Sequence, residues 1–425
     1  MKRFLRPRQL VFGAALLLVV LTACGTPLAG ESWAGISTDG KYIYVAWKDS
    51  IIRVNPVATG PEVRQVAWIA KVPGGAHAYG APAIGPDKTL YVGAYDKKVY
   101  AFPQNTSQPT PTVLGSGSAN PPADRIIGGP LLQNNVLYIG MGDKGVKAYN
   151  VGDGSEKWTF DKTGAGVWST PILDGNTLYF SSLDHFLYAL DSSSGNLIWK
   201  SDMGAAIAGA PLLYNSFLYV GTFDDQLLKV SADGGKIVNK FQSQGWIWAT
   251  PIVKDNILYV GDLAGYVYAI DSDSLTVKWK TTYTPDYTGG IRGNAVIATI
   301  QDPQSKANTD IVIVGSENKY LFAFNRDTGA RVWVSAISND DQVLSNLIVM
   351  GDDVIFTTLA DSEIVAGFNV NNGKRDWYIN LTNDQTVQQT ATSVPLSATE
   401  QAGATQTAAQ GTTTTAATTA ATQAQ

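Results

Sequence analysis

The sequence predicts an all-β fold: an eight-bladed β-propeller of four-stranded antiparallel blades, followed by a disordered C-terminal tail. Three observations predict it. A unit of about 40 residues recurs along the middle of the chain, which is the signature of a repeat architecture. The composition, with 42 Gly, 19 Tyr and 11 Trp among many short Val/Ile/Tyr runs, favours strands and tight turns over helices. Beyond residue 380 the apolar runs stop. With 44% hydrophobic residues over 425 positions, the remainder has ample material for a core.

Taken in order, residues 1–23 read as an export leader. A basic segment, MKRFLRPR (1–8), precedes the apolar run LVFGAALLLVVL (10–21), which is too short to span a bilayer comfortably as a permanent helix. The run ends in Leu21-Thr22-Ala23-Cys24, which resembles the bacterial lipobox. That resemblance implies cleavage before Cys24, a diacylglyceryl group on its thiol, and an acylated (palmitate-type) new amine. Two or three buried chains anchor a protein stably, where one does not. Residues 24–32 are then the lipidated cysteine and a short linker, and the mature protein is extracytoplasmic and membrane-anchored.

Cys24 is the only cysteine, so a disulfide framework, a Cys-based zinc site and an iron–sulfur cluster are excluded. His77 and His185 are the only histidines, which leaves little for a metal centre or a His relay. Loss of Lys2, Arg3, Arg6 and Arg8 with the leader takes the formal charge from −5 to −9, which argues against nucleic acid as a partner.

Residues 33–380 hold the repeats. TPILDGNTLYFSSLDHFLYALDSSSGNLIWK (170–200) aligns with APLLYNSFLYVGTFDDQLLKVSADGGKIVNK (210–240) and TPIVKDNILYVGDLAGYVYAIDSDSLTVKWK (250–280). Pro82, Pro130, Pro171, Pro211 and Pro251 mark the first strands of five copies. Weaker copies lie at 33–55, at 293–325 with an insertion at 301–309, and at 345–369, giving eight. Each copy reads as four strands, of TPIV, LYVG, VYAID and Trp-ending type, separated by Asp-Gly, Asn-Asn and Asp-Asn hairpin turns. Forty residues in four strands make one propeller blade, and eight blades can close a ring.

The third-to-fourth strand stretch resembles the tryptophan-docking motif of pyrroloquinoline-quinone-type (PQQ-like repeat) propellers, Ala-x-Asp-x-x-Thr-Gly-x-x-x-Trp. Ala189, Asp191, Gly195 and Trp199 match it, with Ser194 in place of Thr. Ala323, Thr328, Gly329 and Trp333 match with Asn325 for Asp, and Ala269, Asp271 and Trp279 match with Leu275 for Gly. Trp158 and Trp377 keep the spacing behind Asn150 and Asn369; Asn239 occupies the Trp position of the fifth copy, and the second copy lacks the motif. Trp158, Trp199, Trp279, Trp333 and Trp377 are therefore expected to be structural plates between blades.

Two branches share this repeat. The quinone-dependent dehydrogenases hold their cofactor with calcium, acidic ligands and often a vicinal disulfide. This propeller has no cysteine and no acidic cluster before its first strands, and the chain is shorter than those enzymes, which carry long inserted loops for their sites. No catalytic residue, metal or cofactor is expected. The BamB branch, lipidated eight-bladed propellers that scaffold outer-membrane β-barrel assembly, is similar in lipobox, size and blade count, and differs in the long tail. The resemblance implies a monomeric, non-catalytic scaffold with a membrane anchor and a protein partner in the cell envelope. The alternative class is an enzyme or sensor binding a quinone or sugar at the channel mouth.

In a four-strand blade the connector before strand one and the turn between strands two and three share a face. The positions three and five before each Pro column therefore ring one mouth of the channel, and they place Tyr79, Arg125, Trp168, Trp246, Trp248 and Arg292 there. Aromatic residues and Arg are enriched at binding hot spots. The simpler reading is that the same rings plug the channel and cover the core, and the sequence leaves both readings open. Asp224-Asp225, Asp340-Asp341 and Asp352-Asp353 read as turn residues, and His185 as a solvated one. Residues 381–425 contain 14 Thr, 11 Ala and 8 Gln with no Lys, Arg or aromatic residue, so they cannot bury a core and are read as a disordered tail.

Overall fold

In the computed structural model, the structure describes residues 35–56, 66–104, 109–115, 125–281, 289–301, 307–337, 342–358, 364–380 and 385–387. Cys24, the leader and residues 388–425 lie outside the described residues. The strands form eight separate antiparallel sheets, each built from consecutive strands, at 36–71, 83–114, 131–160, 172–202, 212–242, 252–280, 296–336 and 348–380. These are blades 1 to 8. First strands line the axis and fourth strands form the outer edge. Every blade supplies its own first and fourth strand, so the ring meets between blades 8 and 1 by packing, without strand exchange. The insertion of blade 7 lengthens its inner hairpin, where Gln301 pairs with Asn308.

One element departs from the sequence reading, which ends the last blade at Trp377–Ile379. A fifth strand, Gln385–Val387, pairs antiparallel with Arg375–Asn380 (Tyr378 opposite Val387) and lies within the stretch assigned to the tail. The cause is local: the outer strand presents an open backbone edge to the segment that follows it.

The blades fold locally through their turns. The inner hairpins of blades 3, 5 and 6 turn on Asn134-Asn135, Asn215-Ser216 and Asp255-Asn256, with positive φ at both central residues. That is the primed turn whose twist matches the strands. At the outer hairpins the motif carboxylate binds turn backbone: Asp191 Oδ1 accepts from the hydroxyls and amides of Ser193 and Ser194. These bonds hold the Asp191 carboxyl down at about 2.

Packing between blades accounts for most of the burial. The second and third strands of most blades are buried almost throughout, and their side chains form clusters that span neighbouring sheets. On the mouth face each connector drives a buried apolar residue into the blade behind it: Ile126, Val167, Ile207, Ile247, Ile291 and Val343. Its N–H donates to the two–three turn of that blade at 2.9–3.3 Å. The glycine ending the LYVG strand makes the room. A Cβ on Gly93, Gly140, Gly221, Gly261 or Gly315 would lie 2.1–2.6 Å from the incoming side chain.

Toward the opposite face the tryptophans dock as expected. Trp158, Trp199, Trp279 and Trp333 donate from Nε1 to the carbonyls of Ser192, Ala232, Arg326 and Val370, each in the next blade, at 2.7–3.1 Å. The motif glycine of that next blade, Gly195, Gly235, Gly329 or Gly373, seats the ring; a Cβ there would sit 2.6–2.7 Å from it. Blade 5 breaks the series in three coordinated places. Asn239 replaces Trp, Lys229 replaces the small residue opposite it, and Leu275 of blade 6 fills the empty glycine seat at φ 53°. Asn239 Nδ2 keeps the link by donating to Ser274 O at 2.8 Å.

A sixth docking tryptophan escapes the motif. Trp68 stands opposite Arg53 at the same register in blade 1, is buried against blade 2, and lies behind a longer outer hairpin that hides the spacing. Trp377 behaves differently. Its ring packs on Ile36, Ile43 and Val45 of blade 1, closing the ring, while its Nε1 donates to Asp353 Oδ2 of its own blade at 2.8 Å. Burial, reinforced by the carboxylates of Asp376 and Asp352 and opposed by the Trp377 N–H, pushes Asp353 up to about 6.

An acid raised in the folded state binds its proton more tightly there than in the unfolded chain. Its contribution to stability is therefore present at low pH and lost as pH rises from about 4, its unfolded value, through about 6. Asp353→Asn, which keeps an acceptor for Trp377, is expected to stabilise the protein at pH 7.5 by on the order of 1 kcal/mol, allowing for solvent screening. The gain should vanish near pH 4. Thermal melts of both proteins across pH 4–8 check this; parallel profiles would contradict it.

Candidate functional site

The channel mouth is built by connectors and two–three turns, which zip together in blades 2 to 7. Tyr95, Gly142, Leu183, Phe223, Leu263 and Glu317 donate their N–H to the carbonyls of His77, Arg125, Gly166, Ala206, Trp246 and Gly290 at 2.8–3.0 Å. This regular ladder fixes where each side chain of the mouth points. Small residues at the inner strand starts, such as Ala81, Gly129, Ala210 and Ala249, leave a cavity of about 650 Å³ on the axis.

Tyr79, Trp168, Trp248 and Arg292 line that cavity, as their shared register predicts. They are not arranged with eightfold regularity. Ala208 falls between Trp168 and Trp248, and the two rings meet across that gap at 6.4 Å. Phe223 stacks on Trp246 at 4.9 Å with the planes 8° apart, and touches Trp248 at 5.0 Å. Arg292 lies over the Trp248 ring at 4.7 Å, and its Nε donates to the Glu317 carboxylate. The result is one continuous half-exposed platform, Trp246–Phe223–Trp248–Arg292, across the mouth sides of blades 5 to 7.

Across the cavity stands a second, smaller stack. Tyr79 packs on Tyr95 at 4.2 Å, Arg125 sits 5.8 Å above Tyr95, and His77 Nδ1 lies 3.1 Å from the Tyr79 hydroxyl. Burial raises the Tyr79 phenol above its ordinary value, so it stays protonated. The wall between the stacks is polar: Asn294 Oδ1 accepts from Thr250 N, and Asn346 Oδ1 accepts from Asn294 N.

The six sequence-assigned residues therefore divide. Four line the cavity, while Arg125 and Trp246 flank it through Tyr95 and Phe223. The rings pack on one another, and a cavity lies beside them on the axis. Phe223, Tyr95 and Glu317 were not assigned from sequence, although they belong to the two–three turns that share this face. Aligning that turn column beside the connector column would have found them.

The chain matches the family described as "Outer membrane protein assembly factor BamB" over residues 48–185, 183–340 and 300–422. Among individual proteins, it is 29% identical over 129 residues to the outer membrane protein assembly factor BamB of Legionella pneumophila (strain Paris), which is 29% of this chain and 32% of that protein. It is 40% identical over 50 residues to Protein Rv3035 of Mycobacterium tuberculosis, or 11% of this chain and 12% of that one. These aligned stretches thus span a third or less of either relative. Among solved structures, BamB from Moraxella catarrhalis superposes with a TM-score of 0.57 at 14% identity, covering 76% of this chain and 93% of that one. The computationally designed Ika8 protein superposes with a TM-score of 0.61 at 15% identity, covering 83% and 98%. At these identities the superpositions establish the fold.

Proposed function

The chain belongs to the outer membrane protein assembly factor BamB family of PQQ-repeat propellers, and on that premise we propose that it is a non-catalytic, lipid-anchored scaffold. It is a monomer that holds a protein partner in the cell envelope at its channel mouth. The observation that carries this reading is the Trp246–Phe223–Trp248–Arg292 platform, which gathers the residue types that dominate protein interfaces on one rigid face. The polar groups of the mouth are engaged with one another, Arg292 with Glu317 on the platform and His77 with Tyr79 across the cavity, as suits a surface that binds rather than reacts. The lipobox at Cys24 supplies the anchor in this reading.

Capture from native membranes with the wild-type chain and with Trp248→Ala tests the proposal. A partner retained by the first and lost from the second supports it; equal capture by both removes the mouth as the docking face. Anchoring is tested separately. Cys24→Ser should abolish labelling by fatty acid and release the protein from the membrane fraction, and a mutant still processed and membrane-bound would end the lipoprotein reading.

The cavity itself favours a second reading, because about 650 Å³ lies within the range of small-molecule sites. A quinone or sugar bound there would raise the melting temperature by mass action. Stabilisation by quinone together with calcium would replace the scaffold reading with a cofactor-binding one.

A further inference from the structure

The outer edges of the blades are not equally protected. At the two positions before the docking residue, blade 3 carries Glu156 and Lys157, blade 7 Arg331 and Val332, and blade 8 Arg375 and Asp376. Blade 2 carries Pro111, and the Val66 and Ala67 of blade 1 are partly buried. Charges and proline on an outer strand discourage pairing with another chain. Blades 4 and 5 have neither there: the same positions are Leu197-Ile198 and Ile237-Val238. Blade 6 follows with Val277 beside Lys278. These five side chains, 38–52% exposed, are the exposed large hydrophobics of the described residues, and they fall at the same two adjacent repeat positions on three consecutive blades. The outer edges of blades 4 and 5 therefore lack at those positions the charges and proline that guard blades 2, 3, 7 and 8.

We infer that the outer edges of blades 4 and 5 are a docking site for an extended strand of a partner protein, added by antiparallel main-chain pairing. The molecule itself displays this mode once: on blade 8, Gln385–Val387 pairs with the outer strand Arg375–Asn380. The outer strands Leu197–Asp202 and Ile237–Gln242 present the same open edge, with exposed aliphatic side chains at their starting ends, where the register shifts by a β-bulge, and Lys200 and Lys240 further along. An added antiparallel strand meets those ends with its own C-terminal residues. The fitting partner segment is thus polar in its first half and aliphatic in its last.

Two nearer occupants fit less well. The remaining tail, 388–425, offers only Val394 and Leu396 as large aliphatics. A second copy pairing two-fold through the same strand would set Leu197 opposite Asp202 and Ile237 opposite Gln242, apolar against polar. The site lies on the outer edge, away from the mouth, and stands whether or not the mouth platform binds a partner.

The probe is a fluorescent nine-residue peptide, Thr/Gln-rich in its first half with three β-branched aliphatics at its C-terminal end, titrated against the full mature chain. Wild type should bind it. Ile198→Lys with Val238→Lys, which copies the protection of the other blades, should weaken binding at least tenfold with the melting temperature unchanged. The same peptide N-methylated on alternate amides should not bind, and hydrogen exchange should slow at 197–202 and 237–242 in the complex. Unchanged affinity in the double variant, or equal binding of the N-methylated peptide, overturns the inference. So does a concentration-dependent dimer that the double variant abolishes, or exchange protection of these strands that is lost on removing 388–425.

Discussion

Trp333→Ala is expected to destabilise the propeller by about 3–5 kcal/mol, the range for removing a large buried aromatic plate. Trp333 is 6% exposed, sits in the cluster shared by blades 7 and 8, and donates to Val370 O at 2.8 Å. Its ring fills the seat over Gly373, which it shares with the Ser335 hydroxyl. Trp199→Ala should cost less, about 2–3 kcal/mol, because that ring is only partly buried at the edge of blade 4. Trp333→Phe keeps most of the plate and loses the N–H, so about 1 kcal/mol is expected beyond the small volume loss. Because no strand is exchanged across the ring, blade 8 depends on its two packed seams. Hydrogen exchange in the alanine variant should therefore accelerate first at 348–380. Urea midpoints for the three variants check the order; equal and small losses would mean the rings do not support the seams.

Much of this was legible in the sequence because a repeat amplifies weak signals. The Pro column, the LYVG strand and the Asp/Asn-to-Trp spacing each recur, so eight blades and the mouth register of Tyr79, Trp168, Trp248 and Arg292 follow by alignment. What was missed has physical causes. Trp68 lies behind a longer hairpin, and a fixed spacing cannot see through an insertion, whereas the register opposite Arg53 can. Phe223 and Glu317 stand in turns whose side chains vary freely, since only their backbone N–H is fixed by the fold. The strand Gln385–Val387 has no repeat partner; it follows from an open edge, which is a property of the assembled sheet. The aliphatic pairs of blades 4 and 5 read as ordinary strand residues, and only the outer position of that strand makes them exposed.

The departures of blades 5 and 6 look in sequence like decay of the motif, and in space they are one compensated exchange. Asn239 leaves a void where a docking ring should lie; Leu275 fills it from the glycine seat, buried to 5% exposure, and the stem of Lys229 fills it from the opposite strand. Lys229 is held there by Asp273, whose carbonyl lies 3.2 Å and carboxylate 3.4 Å from the ammonium, and by the Phe217 ring at 4.2 Å. Leu275 also adopts a positive φ that a leucine resists. Asn239→Trp alone should therefore overpack the seam and cost about 1–3 kcal/mol. Leu275→Gly alone should relieve the backbone but open a cavity, for a net loss of about 1–3 kcal/mol. Combined with Lys229→Ala, the two changes rebuild the arrangement seen at Trp199 over Gly235. The triple variant is accordingly expected within about 1 kcal/mol of wild type, against the sum of several predicted by additivity. Urea unfolding of the singles and the triple measures the coupling. Additive losses would show that the three residues drifted independently and that the seam between blades 5 and 6 tolerates its void.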